Sequence, residues 1–73
     1  MSKYTLYVKQ DCGLCDEFLY ELGSKIPEQI NNFQVVDITG KSELLEQYGE
    51  KIPVVIEDNA IVCQYFFDID VFK

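Results

Sequence analysis

The chain has 73 residues, enough for one small domain, expected over residues 1–73, that buries about 60% of the surface its unfolded form exposes. Ten aromatic side chains and a hydrophobic content of 48% supply a core and argue against disorder. Thirteen acids against six lysines and no arginine leave a net charge of −7, which repels phosphate backbones and anionic bilayers, so neither nucleic acid nor membrane is an expected partner.

The longest apolar runs are too short to cross a bilayer, and the first residues lack the charged-then-apolar pattern of a secretory signal. A reducing, cytoplasmic setting is therefore expected. Histidine is absent, which excludes Cys/His and Ser/His/Asp nucleophilic catalysis and every imidazole metal site. Three cysteines do not make a disulfide framework, which needs an even count and wider spacing.

Tyr4-Thr5-Leu6-Tyr7-Val8 reads as a buried strand ending at Lys9. Gln10-Asp11-Cys12-Gly13-Leu14-Cys15-Asp16 follows, and from Leu14 the apolar residues Leu14, Phe18, Leu19 and Leu22 recur at helical spacing, with the acids Asp16 and Glu17 in the first turn. Gly23 and Pro27 bracket the predicted end of this helix. Residues 28–32 read as a polar connection with some helical character. Phe33 to Ile38 is a second strand, parallel to the first because a helix separates them, with a right-handed crossover.

Thr39-Gly40-Lys41-Ser42 is a loop expected to end in an N-cap at Ser42, without a full capping box. Glu43 to Tyr48 is a short helix with Leu44, Leu45 and Tyr48 inward, closed by Gly49 as a left-handed cap. Ile52 to Glu57 and Ala60 to Tyr65, joined by Asp58-Asn59, read as an antiparallel hairpin headed by Pro53. The tail from Phe66 to Lys73 is too apolar for a loose end and too short for a full helix. The order is βαβαββ: an α/β fold with a four-stranded mixed sheet and helices on its faces.

The close pair Cys12 and Cys15 carries the chemistry. At a strand-to-helix junction Cys12 occupies the helix N-cap, with its sulfur near the unpaired N–H groups of the first turn, and Cys15 lies one turn inward, close enough to form a disulfide. Thiol–disulfide exchange proceeds through a mixed disulfide, so Cys12 is read as the nucleophile and Cys15 as the resolving thiol. The helix N-terminus and Lys9 favour the Cys12 thiolate, while Asp11 and Asp16 oppose it. At about 8 Å and an effective dielectric of about 40 each charge counts for roughly 1 kcal/mol, so the backbone amides are left to favour the thiolate modestly. Lys9 has the alternative of a solvated strand end. Cys63 reads as a buried, inert thiol sharing a face with Ile61 and Tyr65. Asp37 reads as a solvated strand end rather than a proton shuttle.

The pattern Leu6-Tyr7-x-Lys9-x-x-Cys12-x-Leu14-Cys15-Asp16, Val36-Asp37-Ile38, Leu44 to Tyr48-Gly49 and Ile52-Pro53-Val54-Val55 resembles the glutaredoxin branch of the thioredoxin fold. More narrowly, it resembles a family of small glutaredoxin-like proteins, over about residues 4–65. The resemblance implies a cis peptide before Pro53, facing the cysteines, with the backbone of Ile52 free to pair with an extended substrate; Lys9, Ile52 and Pro53 are then substrate-binding residues beside Cys12 and Cys15. It also implies a dithiol–disulfide oxidoreductase with no bound cofactor or metal, acting on a protein disulfide or glutathione, with glutathione as a candidate reductant and a potential between about −270 and −200 mV. The protein is expected to be a monomer or weak dimer.

Three features depart from the family pattern. Gly13 and Leu14 replace the usual Pro-Tyr between the thiols. Gln64-Tyr65-Phe66-Phe67-Asp68 stands where glutaredoxins hold glutathione with Gly-Gly and an acid. The closing helix is short or absent, so that Phe66, Phe67, Ile69, Val71 and Phe72, or a partner, must seal the sheet face it would cover. Two other functions are kept in view: an adaptor with vestigial thiols that docks a partner protein, and a metal or iron–sulfur site shared by a dimer, since one chain lacks four ligands.

Overall fold

A computed structural model describes residues 2–72; Lys73, the last residue of the predicted tail, lies outside them. Four strands, β1 (Tyr4–Val8), β2 (Phe33–Asp37), β3 (Val54–Glu57) and β4 (Ala60–Gln64), form one sheet in the order β2-β1-β3-β4. β1 and β2 run parallel in the register Tyr4 to Phe33 through Val8 to Asp37. β3 is antiparallel to both β1 and β4. Two helices, α1 (Gly13–Lys25) and α2 (Ser42–Tyr48), follow β1 and β2, and short 3-10 segments cover Pro27–Asn32 and Ile69–Phe72. This is the expected βαβαββ order and mixed sheet, with the closing helix reduced to a single 3-10 turn.

Side chains alternate across β1, so Tyr4, Leu6 and Val8 face one side and Thr5 and Tyr7 the other. The first side is the deeper: Tyr4, Leu6 and Val8 are buried together with Phe18 and Leu22 of α1. Phe72 closes it, meeting Tyr4 and Phe33 edge-on at 5.2 and 5.3 Å and stacking on Phe67 at 5.7 Å, while Phe67 meets Phe18 at 5.5 Å. On the second side Tyr48 of α2 stacks on Tyr7 at 4.9 Å. Gln29 donates from its side chain to the Phe72 carbonyl, which ties the tail to the 3-10 segment before β2. Of the five tail residues expected to seal the sheet, Phe72 is buried and Phe67 and Ile69 are packed against the core, but Phe66 and Val71 are exposed.

The end of α1 is as expected: it falls at Lys25, between Gly23 and Pro27, with Ile26 as C-cap, because proline disfavours the helical conformation behind it. Several other local expectations are corrected. Leu14 is exposed; Cys15, Phe18 and Leu22 form the inward stripe. α2 is capped by Lys41, with Ser42 already inside the helix and no side-chain cap bond. Gly49 is right-handed, at φ −55°. Its glycine serves a close approach instead, since a Cβ there would collide with the Leu45 carbonyl oxygen. β3 starts at Val54 and β4 stops at Gln64, so Ile52, Pro53 and Tyr65 lie just beyond their strands. A bulge pairs Val55 with Cys63 but Ile56 with Ile61, leaving Val62 as the extra residue. Cys63 and Ile61 therefore lie on opposite faces, and only Cys63 is buried.

Candidate dithiol site at the sheet edge

β1 delivers the chain to its carboxyl end at Val8, and Lys9, Gln10 and Asp11 carry it over the sheet edge to Cys12. Asp11 adopts a left-handed conformation, φ 55°, which aspartate tolerates better than most residues. That bend sets Cys12 in extended geometry as the N-cap of α1. The Cys12 Sγ accepts the Cys15 N–H at 3.1 Å, and the Cys12 carbonyl accepts from the Asp16 N–H at 3.1 Å. A sulfur thus takes the place of the usual capping oxygen and satisfies one of the free donors of the first turn.

Cys12 and Cys15 are joined as a disulfide, with Cα atoms 5.2 Å apart. The two halves are unequal in access. Cys15 is 2% exposed beneath the first turn, while Cys12 is partly exposed at the rim. An incoming sulfur can reach the outer atom of this pair and not the inner one.

The loop before Cys12 is held from β2. Thr39 accepts the Gln10 N–H on its hydroxyl at 3.0 Å, and the Thr39 N–H donates to the Asp37 carboxylate at 2.8 Å. These Thr39 bonds, from the backbone first and the hydroxyl second, hold the Asp37 carboxyl below the usual carboxylate range, with Lys41 adding to the effect. Asp37 is exposed, as expected of a strand end, yet its turn is one of the supports of the cysteine loop. Thr39 was not singled out by sequence reasoning, although an Asp-x-Thr-Gly run after a strand carries the turn chemistry that signals such a brace.

Pro53 reaches the same edge from β3. Tyr7 of β1 pairs with Val54, so Pro53 and Ile52 continue β3 backwards alongside the end of β1. The Ile52–Pro53 peptide is cis and both side chains are buried. Among the described residues, the Ile52 N–H and carbonyl join none of the loop hydrogen bonds, whereas the neighbouring Lys51 N–H bonds the Tyr48 carbonyl at 2.8 Å and the Pro53 carbonyl accepts from Tyr65 at 2.7 Å. Lys9 stands exposed just past β1 and makes no ion pair among the described residues. The structure thus brings Lys9, Cys12, Cys15, Ile52 and Pro53 to one edge of the sheet. Cys63 lies within the sheet, donating from its thiol to the Phe66 carbonyl at 3.3 Å, and burial pushes its pKa up. Among the described residues no group of three His, Cys, Asp or Glu side chains is placed to hold a metal ion.

With this geometry in place, comparison with known proteins finds that the family model of the glutaredoxin-like domain (DUF836) matches residues 3–73. The chain belongs to that family. The solution NMR structure of protein Ne2328 from Nitrosomonas europaea is similar to this glutaredoxin-like domain with a TM-score of 0.75 and 28% sequence identity, over 96% of this chain and 85% of that one. No curated protein matches the chain. The fold is accordingly thioredoxin-like, as the residues at Cys12, Cys15 and Pro53 implied, and a cysteine pair at this spacing in a glutaredoxin-like domain fits a thiol redox role. No helix among the described residues is long and apolar enough to cross a membrane.

Proposed function

We propose that this glutaredoxin-like domain is a cytoplasmic dithiol–disulfide oxidoreductase. The observation that carries the reading is the asymmetry of the pair: an accessible sulfur at a helix N-cap, accepting a backbone N–H, bonded to a buried one. In the reduced protein the same N–H and the helix dipole favour a thiolate at Cys12. That thiolate attacks a substrate disulfide, forming a mixed disulfide and expelling the first substrate thiolate. Cys15 then attacks the Cys12 sulfur, releasing the second substrate thiolate and leaving the Cys12–Cys15 disulfide. Two electrons pass to the substrate, and a thiol reductant, glutathione or a protein dithiol, restores the pair. Lys9 offsets part of the charge of Asp11 and Asp16, and the free Ile52 backbone beside cis-Pro53 pairs with the substrate chain.

Turnover of a small disulfide or reduction of insulin, with glutathione or thioredoxin reductase as donor, tests this directly. Cys12→Ser abolishes turnover, and prereduced Cys15→Ser, with no thiol reductant present, stops after the first step with the substrate trapped on Cys12. Wild-type protein inactive with both donors would transfer the case to a non-catalytic adaptor.

A further inference from the structure

Beside the cis-proline loop the backbone makes an unusual turn. Tyr65 has φ 68°, and the Phe66 N–H bonds the Gln64 carbonyl at 2.8 Å across it, a three-residue turn of the rare, strained hand. A tyrosine in left-handed conformation is an outlier that persists only where its surroundings over-determine it. They do so here. The Tyr65 N–H donates to the Pro53 carbonyl at 2.7 Å, and the Tyr65 hydroxyl donates to the Glu50 carbonyl at 2.9 Å. The Phe66 carbonyl accepts from the Cys63 thiol at 3.3 Å. The backbone of Phe66 is therefore fixed at both its N–H and its C=O, yet its ring is 69% exposed. Every other phenylalanine in the chain packs on the core: Phe18, Phe33 and Phe72 are buried and Phe67 joins them.

The backbone of Phe66 is fixed while its ring stands outside the core, where it contributes little to stability. That backbone neighbours, through the Tyr65–Pro53 hydrogen bond, the loop that carries Ile52 and Pro53, which continues β3 past the end of β1. We infer that Phe66, presented by the strained turn at Tyr65, selects the substrate by packing against an apolar residue flanking the substrate cysteine, so that the preferred class is a protein disulfide in an extended apolar segment. This rests on the oxidoreductase reading. The exchange is that already described: the reduced protein and one disulfide give the Cys12–Cys15 disulfide and two substrate thiols, with no other reactant. Tyr65 acts here as a positioning residue.

The test follows oxidation of the prereduced protein, in single turnover, by two disulfide-linked homodimers of a short neutral peptide, one with leucine on each side of the cysteine and one with serine. Wild-type protein reacts with the leucine peptide about tenfold faster, a ratio that corresponds to burying about 55 Å² of apolar surface. Phe66→Ser brings the ratio to about one, and Phe66→Leu restores most of it, a rescue that a general folding defect does not produce. Tyr65→Gly, which frees the turn, lowers the ratio while the far-ultraviolet circular dichroism stays native. Equal wild-type rates with the two peptides, or a ratio that survives Phe66→Ser, overturns the inference and leaves the oxidoreductase reading standing. A wild-type dithiol that reacts with neither peptide nor with bis(2-hydroxyethyl) disulfide overturns both.

Discussion

The two ends of the sheet are built by different means. At the amino-terminal end of β1 and β2 the rings of Tyr4, Phe33, Phe67 and Phe72 pack with centroids 4.8 to 5.7 Å apart. At the carboxyl-terminal end the supports are hydrogen bonds to backbone: Thr39 on Gln10, Asp37 on Thr39, and Tyr65 on Pro53 and Glu50. Ring packing removes apolar area from water and supplies stability, but it leaves nothing accessible. Short polar braces contribute little each, yet they fix Cys12 and the Ile52–Pro53 loop while leaving Cys12 and the Ile52 backbone open. In a domain this small one core runs the length of the sheet, with Cys15, Ile38, Ile52 and Pro53 buried at the carboxyl-terminal end, but the aromatic cluster is gathered at the other end, away from the chemistry.

That division is tested most severely at Phe72. A 73-residue domain holds roughly 4–11 kcal/mol in total, and losing a buried phenylalanine costs about 3–5 kcal/mol, so Phe72→Ala leaves a marginal fold with a much lower urea midpoint. The exchange rate per folded molecule, measured at low temperature, stays within about twofold of wild type, because chemistry is not sited at this end. The reverse substitution is Thr39→Val. It leaves the Gln10 N–H without its acceptor near solvent and costs about 1 kcal/mol or less. Here the exchange rate drops instead, by about tenfold, since the loop that aims Cys12 loses its brace. If Phe72→Ala slowed exchange and Thr39→Val did not, the proposed separation of stability from chemistry would be wrong.

The same division explains what could be read from the residues alone. The order of elements, the N-cap position of Cys12 and the parallel pairing of β1 with β2 followed from hydrophobic spacing and connection length, which are local properties. The cis peptide before Pro53 followed from the resemblance. What escaped depends on through-space register. The bulge at Val62 exchanges the faces of Ile61 and Cys63, which strict alternation cannot anticipate. Helical spacing placed Leu14 inward, but at the first turn of α1 the stripe is carried by Cys15 and the leucine faces solvent. The end of α1, by contrast, was legible: Gly23 and Pro27 bracket it, and the helix closes at Lys25 with Ile26 buried beyond it. Phe66 and Phe72 are the same residue type six positions apart, and only the strained turn at Tyr65 tells the exposed ring from the buried one.

The smallest effect is confined to the polar end and is read by acid titration. The carboxyl of Asp37 sits below its usual range because Thr39 donates to it. A carboxylate depressed in the folded state contributes stability that is present above its unfolded value, about 3.9, and is lost as the pH falls through the lower folded value. Below that point the Thr39 N–H loses a charged acceptor, and the Gln10 brace, which is held by the hydroxyl of the same residue, loosens. The amide resonances of Gln10 and Thr39 therefore move together with a midpoint below pH 3.9, and Asp37→Asn removes the transition while keeping a neutral acceptor. The rings of Phe33 and Phe72 carry no ionisable group and lie at the other end of the sheet, so their resonances do not follow the Asp37 transition. Amide shifts of Gln10 that ignore the Asp37 titration would show that Thr39 holds the cysteine loop without help from β2's last carboxylate.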